Sequence, residues 1–234
     1  MPAASSRKIL EEGGNLAAAA ERLPFRVTLD TRAPGGGMAS LQRSARHKRA
    51  ADRAALELTL ERGIFAGMVA GVALGLFAMV ASATYQGRGF FTPMYHAAFI
   101  IDGQTLGVAI GKAGAGEPFY FARETFLFGL IVHVMVGGAL GALFALVAKK
   151  VHLHGPRALA GGLLYGLAVM VLMSLVVLPQ AARLFAAGQP ISRMGNEIGW
   201  PTFVAQFVVF GFVLGLWLYL RPQDIGEAPR SARK

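Results

Sequence analysis

The sequence predicts an all-α integral membrane protein, built as a bundle of four transmembrane helices. The 234 residues are 54% hydrophobic and only 15% charged, whereas soluble domains usually carry about 25% charged residues. Four apolar segments reach the roughly 20 residues that a helix needs to cross a bilayer. None of these segments contains Asp, Glu, Lys or Arg. Each should be a helix, because lipid cannot satisfy the backbone hydrogen bonds of any open structure.

The chain before the first span has two parts of different composition. Residues 1–38 lack apolar periodicity and end in APGGGM, so they are predicted to be disordered. The alternative is that they are an untranslated extension ahead of a true start at Met38. Residues 39–62 are rich in Ala, Arg and Glu, which favour helices. They are predicted to form a basic cytoplasmic helix that runs into the first span.

The transmembrane domain is predicted to cover residues 63–220, followed by a cytoplasmic tail at 221–234. Its spans are expected at about 63–84, 125–148, 158–178 and 202–220. A fifth apolar segment, 94–111, is interrupted by Asp102, Gly103 and Gln104. A carboxylate at the centre of a span is costly. We therefore expect this segment to be interfacial or re-entrant rather than to cross the membrane.

Basic residues predict the orientation of the four spans. Near the membrane, 13 Lys and Arg residues lie before span one, between spans two and three, and after span four, against five in the other two loops. Both termini should therefore be cytoplasmic. The net charge of +10 would suggest nucleic acid in a soluble protein. Here it fits contact with anionic lipid heads, and we expect the lipid bilayer but no nucleic acid as a partner.

The two halves of the domain share a glycine spacing. Gly71-x3-Gly75 in span one matches Gly162-x3-Gly166 in span three. Span two carries His133-x3-Gly137-x3-Gly141, and span four carries Phe207-x3-Gly211-x3-Gly215. The pattern predicts two helical hairpins in the same orientation, a parallel repeat.

Small residues four positions apart let helix backbones approach closely inside lipid. The predicted helix-packing positions are Gly67, Gly71, Gly75, Gly137, Gly141, Gly162, Gly166, Gly211 and Gly215. These contacts could lie within one bundle, between copies in a homo-oligomer, or against partner membrane subunits. All three alternatives stay open at the level of sequence.

Four polar side chains form a candidate intramembrane polar or ligand site. His133 is the only histidine inside a span, Gln206 and Ser174 are its expected hydrogen-bond partners, and His96 lies just beyond span one. A buried histidine can bind a ligand, relay protons or pack by hydrogen bonding. The neighbouring Arg88 is expected at the lipid surface rather than in a catalytic pocket.

The sequence contains no recognisable catalytic machinery. There is no cysteine, which excludes disulfides and thiolate chemistry. Motifs for metal hydrolases, phosphate-binding loops and dinucleotide sites are also missing. We predict no catalytic residues, no metal and no resident cofactor. Haem, which would need a second axial ligand, is kept as an alternative.

A Gly-rich span followed by Gly87-x-Gly89-Phe90-x-x-Pro93, and then by a span with His133-x3-Gly137, resembles a group of four-span bacterial inner-membrane proteins without a settled activity. The resemblance covers about residues 63–220 and implies a multipass membrane location. The leading hypothesis is a non-enzymatic structural or accessory subunit. The alternatives are a small transporter or channel that uses His133 and the outer loops, and a haem-bearing respiratory subunit.

Overall fold

The computed structural model describes residues 36–99, 101–185 and 189–221. These residues are helical, with short turns and no strand among them. In chain order they form α1 (Gly36–Thr84), α2 (Thr92–Ala98), α3 (Gly103–Gly114), α4 (Arg123–Lys150), α5 (Pro156–Leu172), a π-helical turn (Met173–Val177), α6 (Leu178–Leu184), α7 (Gln189–Ser192), α8 (Met194–Ile198) and α9 (Trp200–Leu220).

Internal contacts divide the chain after Ala50. Before this point the described residues are the first part of α1, whose residues 41–50 are exposed. The predicted basic helix 39–62 is part of the same helix as span one. Of the predicted N-terminal extension, residues 36–38 begin α1, and residues 1–35 lie outside the described residues, as do residues 222–234 of the predicted tail.

Four helices are long and apolar enough to cross a membrane, and each contains one of the four predicted spans. They are Leu41–Thr84, Arg123–Lys150, Pro156–Leu184 and Trp200–Leu220. The third is longer than the predicted 158–178, because Pro179 does not end it. Proline lacks the amide hydrogen and crowds the preceding turn. The π-helical turn Met173–Val177 directly precedes Pro179, and the helix continues to Leu184.

The long helices pair as two hairpins, α1 with α4 and α5 with α9. A Cβ atom placed on Gly67 would lie 2.7 Å from the Cα of Gly141, and one placed on Gly162 would lie 2.7 Å from the Cα of Gly215. No side chain fits at such distances, so both crossings require glycine. All nine predicted packing glycines contact other residues of this chain.

The register between the hairpins differs from the sequence prediction by one helical turn. Gly162 corresponds in its contacts to Gly67 and not to Gly71. A Cβ atom on either Gly67 or Gly162 would meet a glycine carbonyl oxygen and also the backbone of the glycine one turn further along the partner helix. The predicted match between α4 and α9 is unchanged. A glycine every four residues gives several equivalent alignments, and only the packing distinguishes them.

A core cluster contains side chains from all four long helices. Its buried members are Ala66, Ala70, Phe144, Ala148, Ala158, Phe210, Leu214 and Leu218. Alanines bring the helices together, and Phe144 and Phe210 fill the space between the hairpins. We call the side of this cluster towards residues 85–122 and 193–199 the loop end, and the opposite side the basic end.

The segment predicted to be interfacial or re-entrant forms two short helices, α2 and α3, neither long enough to span. Asp102 begins α3: one carboxylate oxygen accepts from the Thr105 amide at 3.2 Å, and the other from the Thr125 hydroxyl at 2.8 Å. Hydrogen bonds from Thr105 and Thr125 lower the pKa of this carboxyl group. Asp102 is therefore a helix cap.

Helix α2 is buried against α4. Gly129 provides the space, because a Cβ atom there would collide with the carbonyl group of Met94. Tyr95 is fully buried; its hydroxyl accepts from the Ala122 amide at 2.8 Å and donates to the Tyr120 carbonyl at 3.1 Å. These contacts fix α2 over the loop end, and the adjacent His96 is fixed with it.

Candidate functional site

A cavity of about 320 Å³ lies in the loop-end half of the bundle. Its walls come from α1, α2, α4, the π-helical turn, α6, α8 and α9, and most of them are apolar. The volume is at the lower end of the range for small-molecule sites. Three of the four predicted site residues line it: His96, His133 and Gln206.

The cavity exists because α1 and α4 separate earlier than α5 and α9. One turn beyond the glycine crossing, a Cβ atom on Gly71 would lie 3.5 Å from the Cα of Gly137, an ordinary contact distance. The corresponding distance from Gly166 to Gly211 is 3.0 Å. The wider gap holds the imidazole of His133, whose Nε2 would lie 3.3 Å from a Cβ atom on Gly75.

His133 joins the two helices of the first hairpin. Its Nε2 atom lies 3.0 Å from the Gly71 carbonyl oxygen, so this nitrogen carries the hydrogen and donates it. The partners expected from the sequence, Gln206 and Ser174, are not its partners. Ser174 lies on the π-helical turn, outside the cavity lining, and its hydroxyl donates to the Val171 carbonyl at 3.1 Å.

His96 presents one bare nitrogen to the cavity. Its side chain is only 8% exposed, and its Nδ1 atom lies 3.1 Å from the Thr92 carbonyl oxygen. A carbonyl only accepts, so Nδ1 carries the hydrogen and Nε2 of the neutral ring keeps its lone pair. Among the described residues, no group binds this Nε2 atom.

Burial lowers the pKa of His96 to about 4, and the positive charge of Arg88 acts in the same direction. The hydrogen bond with Thr92 and the charge of Glu197 oppose this shift. The ring is therefore neutral at physiological pH. It offers the cavity a hydrogen-bond acceptor and no charge.

Gln206, on α9, is the second polar side chain of the lining that has no partner. It is 8% exposed and lines the cavity, and its amide makes no hydrogen bond within the described part of the chain. Among the described residues no fully buried side-chain nitrogen or oxygen lacks a partner, so the amide atoms are open to the cavity. They can bond to a molecule that occupies it.

The two loops are joined at the rim of the cavity. The guanidinium of Arg88 lies 3.5 Å from a carboxylate oxygen of Glu197, and Gln86 donates to the Ile198 carbonyl at 2.7 Å. Arg88 and Gln86 both line the cavity. The position of Arg88 at the lipid surface stays a prediction, and the structure adds that its side chain lines the cavity.

Two glycines explain why the chain turns inward after span one. Gly87 and Gly89 have φ angles of 62° and 94°, which other residues rarely adopt. The Ser82 hydroxyl closes the turn by donating to the Gly89 carbonyl at 2.6 Å. The Gly-x-Gly spacing was the sequence signal for this turn. Ser82, Gln86, Arg88 and Thr92 are polar residues of the cavity lining that were not among the predicted site residues.

The polar side chains that line the cavity, His96 and Gln206 among them, can donate or accept hydrogen bonds. In the described residues, no group of three or more His, Asp or Glu side chains is placed to hold a metal ion. Comparisons with family models, with curated proteins and with solved structures each found no match. What this site does must therefore be inferred from its own geometry and chemistry.

Proposed function

We propose that this chain is a non-enzymatic, multipass protein of a bacterial inner membrane that binds an amphipathic, lipid-like molecule in the loop-end cavity. The observation that carries the proposal is the combination of apolar walls with two lining side chains, His96 and Gln206, that have polar atoms open to the cavity and without a partner in the chain. Apolar walls with a few placed polar groups are typical of small-molecule sites.

The distribution of basic residues supports an orientation with both termini in the cytoplasm. At the basic end, the Arg221 guanidinium lies 4.4 Å from the ring centroid of Trp217, a cation–π contact typical of the membrane interface. The cavity then belongs to the outer half of the bundle. The parallel repeat and the resemblance to four-span inner-membrane proteins are part of the same proposal.

The ligand would enter sideways, between α4 and the π-helical turn. Val136 and Val177 line the cavity from these two elements and are 40% and 39% exposed. Contact between α4 and α5 is sparse compared with contact between α5 and α9. A π-helical turn next to a proline is a common place for a helix to bend.

The other hypotheses lose part of their basis. The glycines that suggested a homo-oligomer or partner subunits are used in contacts within the chain, so an accessory subunit would need another surface. Transport would require the glycine crossings at the basic end to separate. For haem, His133 Nε2 is already bonded to the Gly71 carbonyl.

The proposal can be tested by identifying what co-purifies with the protein. The protein is extracted in mild detergent, and its bound small molecules are identified by native and lipid mass spectrometry. Ala181→Phe places a ring in the cavity, whereas Ala139→Phe places the same ring on an exposed position of α4 outside it. An amphipathic molecule should accompany the wild type and Ala139→Phe but not Ala181→Phe. Equal occupancy in all three proteins would contradict the proposal.

A further inference from the structure

The hydrogen-bonding groups of the loop-end cavity restrict the chemistry of its ligand. This inference rests on the proposed function and adds the class of molecule that is bound. His96 is held in one tautomer, because its Nδ1 atom is bonded to the Thr92 carbonyl at 3.1 Å. Its Nε2 atom can then only accept a hydrogen bond. A ligand that pairs with it must carry an O–H or N–H group.

The second buried group is compatible with the same head group. The Gln206 amide has two N–H donors and one carbonyl acceptor, and it lines the same cavity as His96. An ether or ester oxygen would satisfy the amide but would leave the His96 lone pair unmet. A hydroxyl group serves both, since its hydrogen donates and its oxygen accepts.

The charges around the cavity do not favour an ion. Arg88 is the lining residue with a full charge, and it faces the carboxylate of Glu197 at 3.5 Å. The walls beyond this rim are apolar, with Leu74, Val132 and Phe203 among them. Moving a charged head group from water into such surroundings is costly without a free counter-ion.

We propose that the cavity selects a neutral lipid-like molecule with a hydroxyl head group, whose O–H donates to Nε2 of His96 while its oxygen accepts from the Gln206 amide. Two sources share this chemistry: an aliphatic alcohol with a long chain, and a quinol with an isoprenoid tail. Each places an apolar chain along the walls of α4, the π-helical turn and α9.

The test uses the purified full-length protein in nanodiscs and ligands matched in chain length. Hexadecanol is compared with its methyl ether and with palmitate, and a long-chain quinol is compared with its quinone, by displacement of a fluorescent alcohol probe. We expect the alcohol to bind about tenfold more tightly than the ether, or the quinol about tenfold more tightly than the quinone, because an unpaired buried acceptor costs affinity. The pair in which the hydroxyl compound binds more tightly shows whether the ligand is an alcohol or a quinol.

Variants separate recognition of the hydroxyl from binding of the chain. His96→Leu should remove the preference for alcohol over ether while the ether still binds. His96→Gln can again offer an acceptor and should restore part of the preference. Thermal unfolding of each variant confirms that it is folded.

Two results would overturn the inference and leave the proposed function intact: equal affinity within both pairs in the wild-type protein, or tighter binding of palmitate than of hexadecanol. A third result would overturn both the inference and the proposed function. If no ligand bound, and Ala181→Phe and Ala139→Phe behaved alike, the cavity would not be a binding site.

Discussion

In both hairpins of this protein the two helices cross in the same way, but the distance between the helices differs one helical turn beyond the crossing. At the crossing, Gly67 and Gly162 make equivalent backbone contacts. Towards the loop end, α5 and α9 stay in backbone contact at Gly166, whereas α1 and α4 have separated by Gly71. The first hairpin has His133 where the second has Phe207. Two similar hairpins can thus enclose a cavity when one backbone contact is relaxed in only one of them.

Substituting the crossing glycines should have the largest effect. A Cβ atom at Gly67 or Gly162 meets backbone atoms that cannot move aside, so Gly67→Ala and Gly162→Ala should each cost about 3 kcal/mol of unfolding free energy. The expected loss exceeds the roughly 1 kcal/mol that alanine gains over glycine in a helix. The unfolding free energy of both variants is measured in mixed micelles.

Gly71→Ala is the matched control, because the new Cβ atom would sit at an ordinary contact distance. It should change stability by less than about 1 kcal/mol in either direction. The alignment predicted from the sequence pairs Gly71 with Gly162. If Gly71→Ala were as damaging as Gly162→Ala, that alignment would be right and the structural one wrong.

Acid should destabilise the protein through His96. Its pKa falls from 6.5 to about 4 on folding, so the unfolded chain takes up the proton first as pH drops. The contribution of His96 to the unfolding free energy is constant above about pH 6.5. It declines by roughly 2–3 kcal/mol between pH 6.5 and about 4. Arg88 and Glu197 face the same ring.

The measurement is the unfolding free energy as a function of pH, compared between the wild type and His96→Gln. The variant should show a flatter curve in this window, because its side chain does not titrate. Identical slopes for the two proteins would show that His96 is not buried and neutral.

Making the first hairpin like the second should have a smaller effect. His133→Phe removes the 3.0 Å hydrogen bond between α4 and Gly71 of α1. Hydrogen bonds between membrane helices contribute about 0.6 kcal/mol on average and about 1.7 at most. Ile131→Phe, at a position 56% exposed, adds a ring outside the bundle and should be neutral. Equal unfolding free energies for the two variants would count against the helix-joining role of His133.

The smallest effect is expected at the rim. The Arg88–Glu197 pair is 3.5 Å long and partly exposed, and such pairs contribute about 0–1 kcal/mol. Glu197→Gln should leave global unfolding almost unchanged but speed up amide hydrogen exchange in residues 86–90 and 193–198. Unchanged exchange would indicate that Gln86 alone joins the two loops.

The sequence was sufficient for features that depend on length and composition. The four spans follow from apolar runs of membrane length, and the interruption at Asp102 was enough to exclude a fifth. The third helix continues past residue 178, where its predicted span ends, to Leu184, and the π-helical turn Met173–Val177 within it has no composition signal of its own.

Features that depend on helix rotation were beyond the sequence. Ser174 and Gln206 are both polar residues in apolar helices, yet only Gln206 lines the cavity. Which face each one occupies is set by the glycine crossing. The inward position of Arg88 depends on Glu197, 109 residues further along the chain, a contact that local patterns do not contain.

The absence of cysteine allows the most direct test of the loop-end cavity. Single cysteines are introduced as Ala181→Cys, in the cavity lining, and Ala139→Cys, outside it. Both proteins, in nanodiscs, react with a small membrane-permeant thiol reagent with and without hexadecanol. Occupancy of the cavity predicts that hexadecanol slows labelling at position 181 several-fold and leaves position 139 unaffected. Equal rates at position 181 with and without hexadecanol, and again with and without the long-chain quinol, would contradict the proposed binding site.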